Sequence, residues 1–397
     1  MYRAMYAYAW DIAEEGLDAA MERMAGMGIG TLTLAASYHA GKFIRPRGKA
    51  GKVVFPEDGT VYFRPRTELY GAIKPRVSNL VEGHDLFSDW PRDARLRLNA
   101  WTVLLHNTPL GAAHPDCVVR NAFGDAYVYS LEPCHPDVRA YAVALARDLA
   151  SRPAVCGLSL ETPGYLPYAH GFHHELTQVP LNPWAEILLG LSFSQSCVTR
   201  AEAAGVPARR VRDTVARALD RWLASDAAPA DDMAMHWALA DAVGDPDLLA
   251  FLRWRSEPVT SLVGAIRAAM PEGVTLAVIP SVQRPSALAW SEGSDLAALA
   301  GVADRLEIPL YERSTARALA DLWDVRRRVG RERPLRCILR PGPPDMTAKG
   351  ELVTLVAELA ARGIDEIAFY NDGLLRPHHH AWVRDALAQL PPAGRTT

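Results

Sequence analysis

Four carboxylate residues stand at or just after the carboxyl ends of β-rich runs in the sequence. Glu161 closes the run VCGLSLE, and Asp11, Glu312 and Asp372 follow three other runs. A carboxyl group that is partly shielded from water has a raised pKa and serves as a general acid. Hydrolysis of a glycosidic bond needs such an acid and a second carboxyl group. We predict that Glu161 is the acid. Its partner is one of the other three: the strong β run before Asp372 favours that residue, and Glu312 is second.

Polar and aromatic side chains also lie near the ends of these runs. Amides, imidazoles and carboxylates exchange hydrogen bonds with hydroxyl groups, and aromatic faces stack on the apolar faces of pyranose rings. The mixture favours a polyhydroxylated ligand, so we predict a small-molecule carbohydrate substrate. The predicted substrate-binding residues are His39, Trp101, His106, Asn121, Tyr165, His170, His173, Tyr311, Arg340 and Asn371.

A histidine-rich loop, YAHGFHHE, holds His170, His173 and His174. Imidazole and carboxylate groups are zinc ligands, but the spacing matches none of the helix-borne zinc motifs. We therefore favour a sugar-binding loop and predict no metal and no cofactor. The alternative is a metal-dependent barrel hydrolase or isomerase that uses these histidines, or His39, together with rim carboxylates.

Strands and helices alternate along the whole chain and must position these residues. Apolar alternation predicts eight strands, and helical periodicity predicts helices after them. The predicted strands cover residues 4–11, 31–39, 94–106, 154–161, 274–280, 305–312, 335–341 and 365–372. Eight strands, each followed by a helix, are typical of a (β/α)8 barrel, in which the carboxyl ends of the strands meet at one rim. An open doubly wound sheet is disfavoured, because the glycine-rich phosphate-binding turn is missing after the first strand.

The predicted fold class is α/β, a single (β/α)8 TIM barrel with insertions after strands 2 and 4. We expect one domain over residues 1–397, since no internal repeat or low-complexity linker divides the chain. The first insertion covers about residues 40–92 and contains a hairpin around Asp58-Gly59, a dipeptide typical of tight turns. The second covers about residues 162–246 and is mixed and partly helical.

The composition is that of an ordinary globular protein. The chain has 397 residues, a formal net charge of −3, 49% hydrophobic residues and 22% charged residues, which excludes a disordered chain. The locally basic runs at 45–49 and 325–333 lack interleaved aromatic residues, so we predict no nucleic-acid partner. No apolar run is long enough to span a membrane, so we predict no membrane association. A homo-oligomer remains open.

The cysteine usage is typical of a reducing compartment. The five cysteines are scattered and never form a Cys-x-x-Cys pair, which predicts neither a disulfide framework nor a structural zinc site. The first residues, MYRAMYAYAWD, lack the charged, apolar and small-residue regions of a signal peptide. We therefore expect a cytoplasmic protein.

Residues 114–161 resemble a segment of a known group of folds. A His-Pro-x-x loop and an Asn-x-x-Gly stretch lead into a helix and then into the strand that ends at Glu161. This order resembles the region between strands 3 and 4 of glycoside-hydrolase-like TIM-barrel proteins, and residues 191–206 resemble a later segment of such relatives. The resemblance implies a glycoside hydrolase. In the best-known retaining members a nucleophilic glutamate ends strand 7, where this chain has Arg340. A non-catalytic sugar-binding barrel is therefore a further alternative.

Overall fold

In the computed structural model, eight parallel strands form a closed barrel. The structure describes residues 1–91, 93–170, 172 and 176–390. The strands are β1 (Tyr2–Ala7), β2 (Thr31–Tyr38), β3 (Arg97–Val103), β4 (Val155–Glu161), β5 (Thr275–Val278), β6 (Arg305–Pro309), β7 (Leu335–Leu339) and β8 (Glu366–Phe369). Each strand pairs with the next one along the chain, and β8 returns to pair with β1. The predicted (β/α)8 barrel is therefore confirmed.

Helices surround the barrel and fill its longer connections. In the described part of the chain they are α1 (Ala9–Glu15), α2 (Leu17–Gly26), α3 (Thr108–Ala113), α4 (Pro136–Ala150), α5 (Pro183–Leu189), α6 (Gln195–Ala203), α7 (Ala208–Leu223), α8 (Asp231–Gly244), α9 (Pro246–Trp254), α10 (Ser256–Ala269), α11 (Leu296–Val302), α12 (Thr315–Val329), α13 (Lys349–Ala361) and α14 (Pro377–Leu387). Helices α4 and α10 to α14 pack side by side in chain order around the barrel. Of the helices among the described residues, none is both long and apolar enough to cross a membrane.

The connection between β2 and β3 differs from the predicted pattern. Its described residues include no α-helix, so β2 is not followed by one. The predicted hairpin around Asp58-Gly59 is also wrong: Val53–Val54 pairs with Phe43–Ile44, whereas Thr60–Val61 joins the barrel sheet antiparallel to the end of β2. The reason is that β1 ends opposite Leu34, which leaves the last residues of β2 with a free edge.

The connection between β4 and β5 has a hydrophobic core of its own. Helix α7 buries Val211, Val215, Leu219 and Trp222, which recur every three or four residues and therefore share one helical face. This face packs with side chains from α5, α6 and α9 in a cluster distinct from that of the barrel. The connection thus carries a helical layer that packs on itself beside the rim.

The interior of the barrel is polar close to the rim. Ser159 donates a hydrogen bond to the Glu307 carboxylate at 2.5 Å, and Arg336 donates to the same oxygen at 3.2 Å. Asn99 donates to Ser159 at 2.9 Å. Because side chains alternate along a strand, Ser159 shares the inward face of β4 with Glu161. A buried charged layer therefore lies directly below that residue.

Seven of the eight strands end earlier than predicted, and in three of them this moves a predicted carboxylate into the connection. Strand β1 ends at Ala7, so Asp11 lies in the first turn of α1. Strand β6 ends at Pro309, three residues before Glu312, and Asp372 begins a 3₁₀ turn after β8. Of the four predicted carboxylates, Glu161 alone is the last residue of its strand.

Candidate active site

Glu161 lies at the carboxyl end of the barrel and lines a cavity of about 430 Å³. Trp101 on the neighbouring strand β3 donates its Nε1–H to the Oε2 atom of Glu161 at 2.5 Å. The next residue, Thr162, has a φ of +53°, in the left-handed region that β-branched residues rarely adopt. Backbone outliers of this kind cluster at functional sites. The chain therefore turns sharply just after it presents the Glu161 carboxyl group.

The environment of Glu161 favours its protonated form. Burial is the largest effect and raises the pKa of Glu161 to about 7, and the nearby Glu307 charge acts in the same direction. The Trp101 hydrogen bond and the Arg284 charge oppose this rise in the pKa. A carboxyl group with a pKa near neutrality can donate a proton to a leaving group at physiological pH. Glu161 thus has the position and the pKa of a general acid.

Tyrosine side chains form much of the cavity wall. Tyr6, Tyr38, Tyr311 and Tyr370 all line it. The hydroxyl group of Tyr8, just outside the lining, lies 2.8 Å from that of Tyr370 and 3.2 Å from that of Tyr38. These hydrogen bonds join Tyr8, which follows β1, to Tyr38 at the end of β2 and to Tyr370 just after β8. The result is a rigid aromatic wall that is suited to stacking against a sugar ring.

Two arginine side chains give the cavity a positive wall. The guanidinium carbons of Arg284 and Arg340 lie 4.9 and 4.6 Å from the centre of the Tyr311 ring. Arg340 is paired with Asp345 at 2.5 Å. Arg284 donates to the carbonyl oxygen of Gln283, and its buried Nε atom has no hydrogen-bond partner among the described residues. Arg340 is therefore held in an ion pair, whereas Arg284 makes none among the described residues. Burial lowers the pKa of Arg284, and the more distant Asp321 and Glu292 charges only partly offset this.

Three histidines meet at the same cavity. His39 and His170 line it, and the His106 ring stacks on His39 with ring centres 4.0 Å apart. One nitrogen from each imidazole lies within 4.8 Å of the other two. His39 follows β2, His106 follows β3 and His170 follows β4, so three separate connections bring these rings together.

Asp372, the favoured partner of Glu161, does not line this cavity. Its side chain is fully buried and accepts hydrogen bonds from Arg23 at 2.8 Å and from Arg47 at 2.6 Å. Its other contact is the Nε2 atom of His380 at 3.0 Å. Burial alone raises the pKa of Asp372, but the His380 hydrogen bond and the two guanidinium groups hold it well below its ordinary value. Asp372 therefore joins separate segments of the chain and is not available to a ligand in the cavity.

Asp11 and Glu312 also lie outside the cavity lining. Asp11 accepts a hydrogen bond from Arg45 at 2.5 Å and lines a smaller cavity of about 150 Å³. Glu312 is buried and accepts a hydrogen bond from Arg317 at 2.7 Å. Both carboxylates are held by cations close in space. Among the described residues that line the larger cavity, Glu161 is the one carboxylate.

Six of the predicted binding residues lie at the cavity or touch its lining. His39, His170, Tyr311 and Arg340 line it, and Trp101 and His106 each contact a lining residue. His173, like the neighbouring His174, lies outside the residues that the structure describes.

Three predicted binding residues have other contacts. The Asn121 side-chain oxygen accepts the backbone N–H groups of Phe123 and Asp125, which holds a tight turn. Tyr165 is buried beneath the guanidinium group of Arg255, 4.3 Å from its ring centre. The Asn371 side-chain oxygen accepts the N–H of Gly373 and caps a 3₁₀ turn. Asn121 and Asn371 each stabilise a turn, Tyr165 packs in the hydrophobic core, and none of the three lines the cavity.

Sequence reasoning missed several cavity residues. Arg284 lies six residues beyond the end of β5, too far along the connection for a strand-end pattern to indicate it. Tyr6 lies within β1. The alternation of inward and outward residues along this strand could have indicated that the Tyr6 side chain points into the barrel. Tyr370 directly follows β8 and was detectable in the same way as Tyr311.

The chain shares its fold with a solved glycoside hydrolase domain. The PgaB (BpsB) glycoside hydrolase domain from Bordetella bronchiseptica aligns over 97% of this chain and 98% of its own length, with 16% identity and a TM-score of 0.59. Alpha-L-fucosidase isoenzyme 2 from Paenibacillus thiaminolyticus aligns over 98% of this chain and 49% of its own, with 10% identity and a TM-score of 0.49. A chitinase from Chromobacterium violaceum aligns over 98% and 99%, with 12% identity and a TM-score of 0.43. No family model and no curated protein matches the sequence. The likeness to the PgaB domain shows that this chain has a glycoside-hydrolase-like (β/α)8 barrel fold.

Proposed function

We propose that this protein is a glycoside hydrolase in which Glu161 protonates the oxygen of the leaving group. The observation that carries the proposal is the Glu161 carboxyl group in the rim cavity, with a pKa raised to about 7 and a hydrogen bond from Trp101. Active sites of (β/α)8 enzymes lie at this end of the barrel. The shared fold of a glycoside hydrolase domain supports the same class of chemistry.

The cavity has the size and the wall for a sugar. Its volume of about 430 Å³ lies within the range of roughly 300–1,000 Å³ that is usual for ligand sites. The tyrosine rings offer flat faces for stacking, and the histidines and arginines offer hydrogen bonds to hydroxyl groups. The Glu161 proton then goes to the glycosidic oxygen as the bond to the anomeric carbon breaks, and water adds to that carbon. The proton that the water loses passes to the Glu161 carboxylate or to solvent, since the described lining holds no second carboxylate.

The charge of the cavity favours a sugar that carries an anionic group. Cleavage of a glycosidic bond develops positive charge on the sugar ring, and a nearby guanidinium group opposes it. Arg284 has no carboxylate partner among its described hydrogen bonds, whereas Arg340 has Asp345. A carboxylate, sulfate or phosphate substituent on the substrate would pair with Arg284 and remove this penalty. We therefore propose an acidic sugar as the preferred substrate.

The test compares wild type, Glu161→Gln and Glu312→Gln on aryl glycosides and oligosaccharides. The panel pairs neutral sugars with their uronic acid counterparts. We expect wild type to cleave an acidic member best and Glu161→Gln to lose about 100-fold or more in kcat/KM. Glu312→Gln serves as the matched control, because this carboxylate lies on the same rim outside the cavity lining.

Two outcomes count against the proposal. Equal activity of wild type and Glu161→Gln shows that another group protonates the leaving oxygen. Sugar binding by calorimetry without turnover of any substrate supports the non-catalytic sugar-binding barrel. A preference for neutral sugars, with Glu161 still required, overturns the acidic-sugar part alone.

A further inference from the structure

We infer that His39, His106 and His170 form a binding site for one divalent transition-metal ion of the zinc type, at the edge of the Glu161 cavity. The sequence predicted no metal, because the spacing of its histidines matches none of the helix-borne zinc motifs. The three histidines instead come from the connections after β2, β3 and β4, and the barrel brings these together. The binding site stands on this geometry and does not depend on the proposed hydrolase activity.

The positions of the imidazole nitrogens suit a single ion. One nitrogen of each ring lies within 4.8 Å of the other two. Zn–N bonds of 2.0–2.1 Å in a tetrahedral site place the nitrogens about 3.4 Å apart, so the nitrogens have to approach by about an ångström. The lone pair of an imidazole nitrogen lies in the ring plane, so one ring of the stacked His39–His106 pair also has to rotate before both point at one ion. The His39 and His106 rings are nearly parallel, at 17°, while His170 meets them at 85° and 70°. The third ring therefore approaches the stacked pair from the side.

The hydrogen bonding of His39 prepares it to bind a metal. Its Nδ1 atom lies 2.7 Å from the carbonyl oxygen of Ala40. A carbonyl oxygen only accepts, so Nδ1 carries the hydrogen, and in the neutral ring Nε2 keeps its lone pair. Metal-binding histidines commonly donate their second ring N–H to a carbonyl in this way, which orients the ring.

Two of the three rings remain partly accessible to solvent. His39 is half-buried and His170 is exposed, so neither gains much from the removal of apolar surface from water. A set of three neutral nitrogen ligands favours zinc, copper or nickel over magnesium or calcium, which prefer oxygen. Three protein ligands also leave a fourth position for water or a substrate oxygen. Because His39 and His170 line the Glu161 cavity, a ligand at this position shares space with a bound sugar.

The test uses the purified full-length chain, freed of metal with a chelator and dialysed. Zn²⁺ is titrated by calorimetry, and Co²⁺ by the visible absorption that a low-symmetry cobalt site produces. We expect one ion per chain and competition between the two metals. His39→Gln and His106→Gln should each weaken Zn²⁺ binding by about 100-fold, since each removes one of three ligands. His236→Gln, on helix α8 away from this cavity, is the matched control and should bind as wild type does.

The outcomes separate this inference from the hydrolase proposal, because metal binding is measured without substrate. His106 is buried, so circular dichroism checks the fold of its variant, and the half-buried His39 provides a second variant. The inference is overturned if the wild type shows neither the visible absorption of bound Co²⁺ nor a heat of Zn²⁺ binding in calorimetry. It is also overturned by Zn²⁺ binding that is unchanged in both variants, which would place the ion elsewhere.

Discussion

Replacement of Glu161 by glutamine should stabilise the folded protein at alkaline pH and much less at acid pH. The carboxyl group has an ordinary pKa of 4.5, and in the folded protein burial raises the pKa to about 7. Below pH 4.5 the group is protonated in both states, so its contribution to stability is fully present. As the pH rises towards 7 the unfolded chain ionises first, and stability is lost until the folded group ionises as well. Glutamine cannot ionise and keeps an oxygen that accepts the Trp101 hydrogen bond.

The size of the effect follows from the two pKa values. A shift of one unit corresponds to about 1.36 kcal/mol, so the loss above pH 7 is about 3 kcal/mol at most. At pH 5 less than about 1 kcal/mol of this has been lost. Glu161→Gln should therefore gain about 2 kcal/mol more over wild type at pH 8 than at pH 5. With an unfolding entropy of about 0.8 kcal/mol/K for a chain of this length, the difference in Tm is about 3 °C.

The assay is thermal unfolding of wild type and variant at pH 5 and pH 8, followed by circular dichroism. Other groups titrate in both proteins and cancel in the comparison, including Glu292, whose pKa is also raised to about 7 by burial. A gain in Tm that is the same at both pH values refutes the reasoning. The Glu161 carboxyl group would then titrate as it does in water, and the argument for a general acid would lose its basis.

Three further predictions follow from individual contacts. Trp101→Phe removes the N–H that lowers the pKa of Glu161, so that pKa should rise. The fall of kcat/KM at alkaline pH should then move to higher pH. A fall at the same pH as in wild type, or at a lower pH, contradicts this. Asp372→Asn removes the buried carboxylate that the partly exposed Arg23 and Arg47 share and should cost about 1.5–3 kcal/mol in urea unfolding at pH 7; an unchanged midpoint would show that the ion pairs contribute nothing net. Gly373→Ala places a Cβ atom 1.8 Å from the Oδ2 atom of Asp11, and the same measurement should show a loss of about 1–3 kcal/mol, whereas wild-type stability would mean that the turn relaxes freely.

The barrel and the place of Glu161 were predictable from the sequence because both depend on local patterns. Alternation of apolar residues marks a strand, a period of 3.6 marks a helix, and eight such units imply a closed barrel. In such a barrel, a residue at the carboxyl end of any strand lies on the rim, whatever the details of packing between the other strands. Glu161, His39, Tyr311 and Arg340 reached the cavity lining in this way.

The tertiary structure alone decided which rim groups face the cavity, which are held in ion pairs, and how their pKa values are shifted. Asp372 was a plausible partner by its position after a strand, but Arg47, 325 residues earlier in the chain, pairs with it. The convergence of His39, His106 and His170 depends on three loop conformations that no local pattern records. The raised pKa of Glu161 likewise comes from burial and from the charge of Glu307 on β6. These are interactions through space between distant segments, and their geometry exists only once the chain has folded.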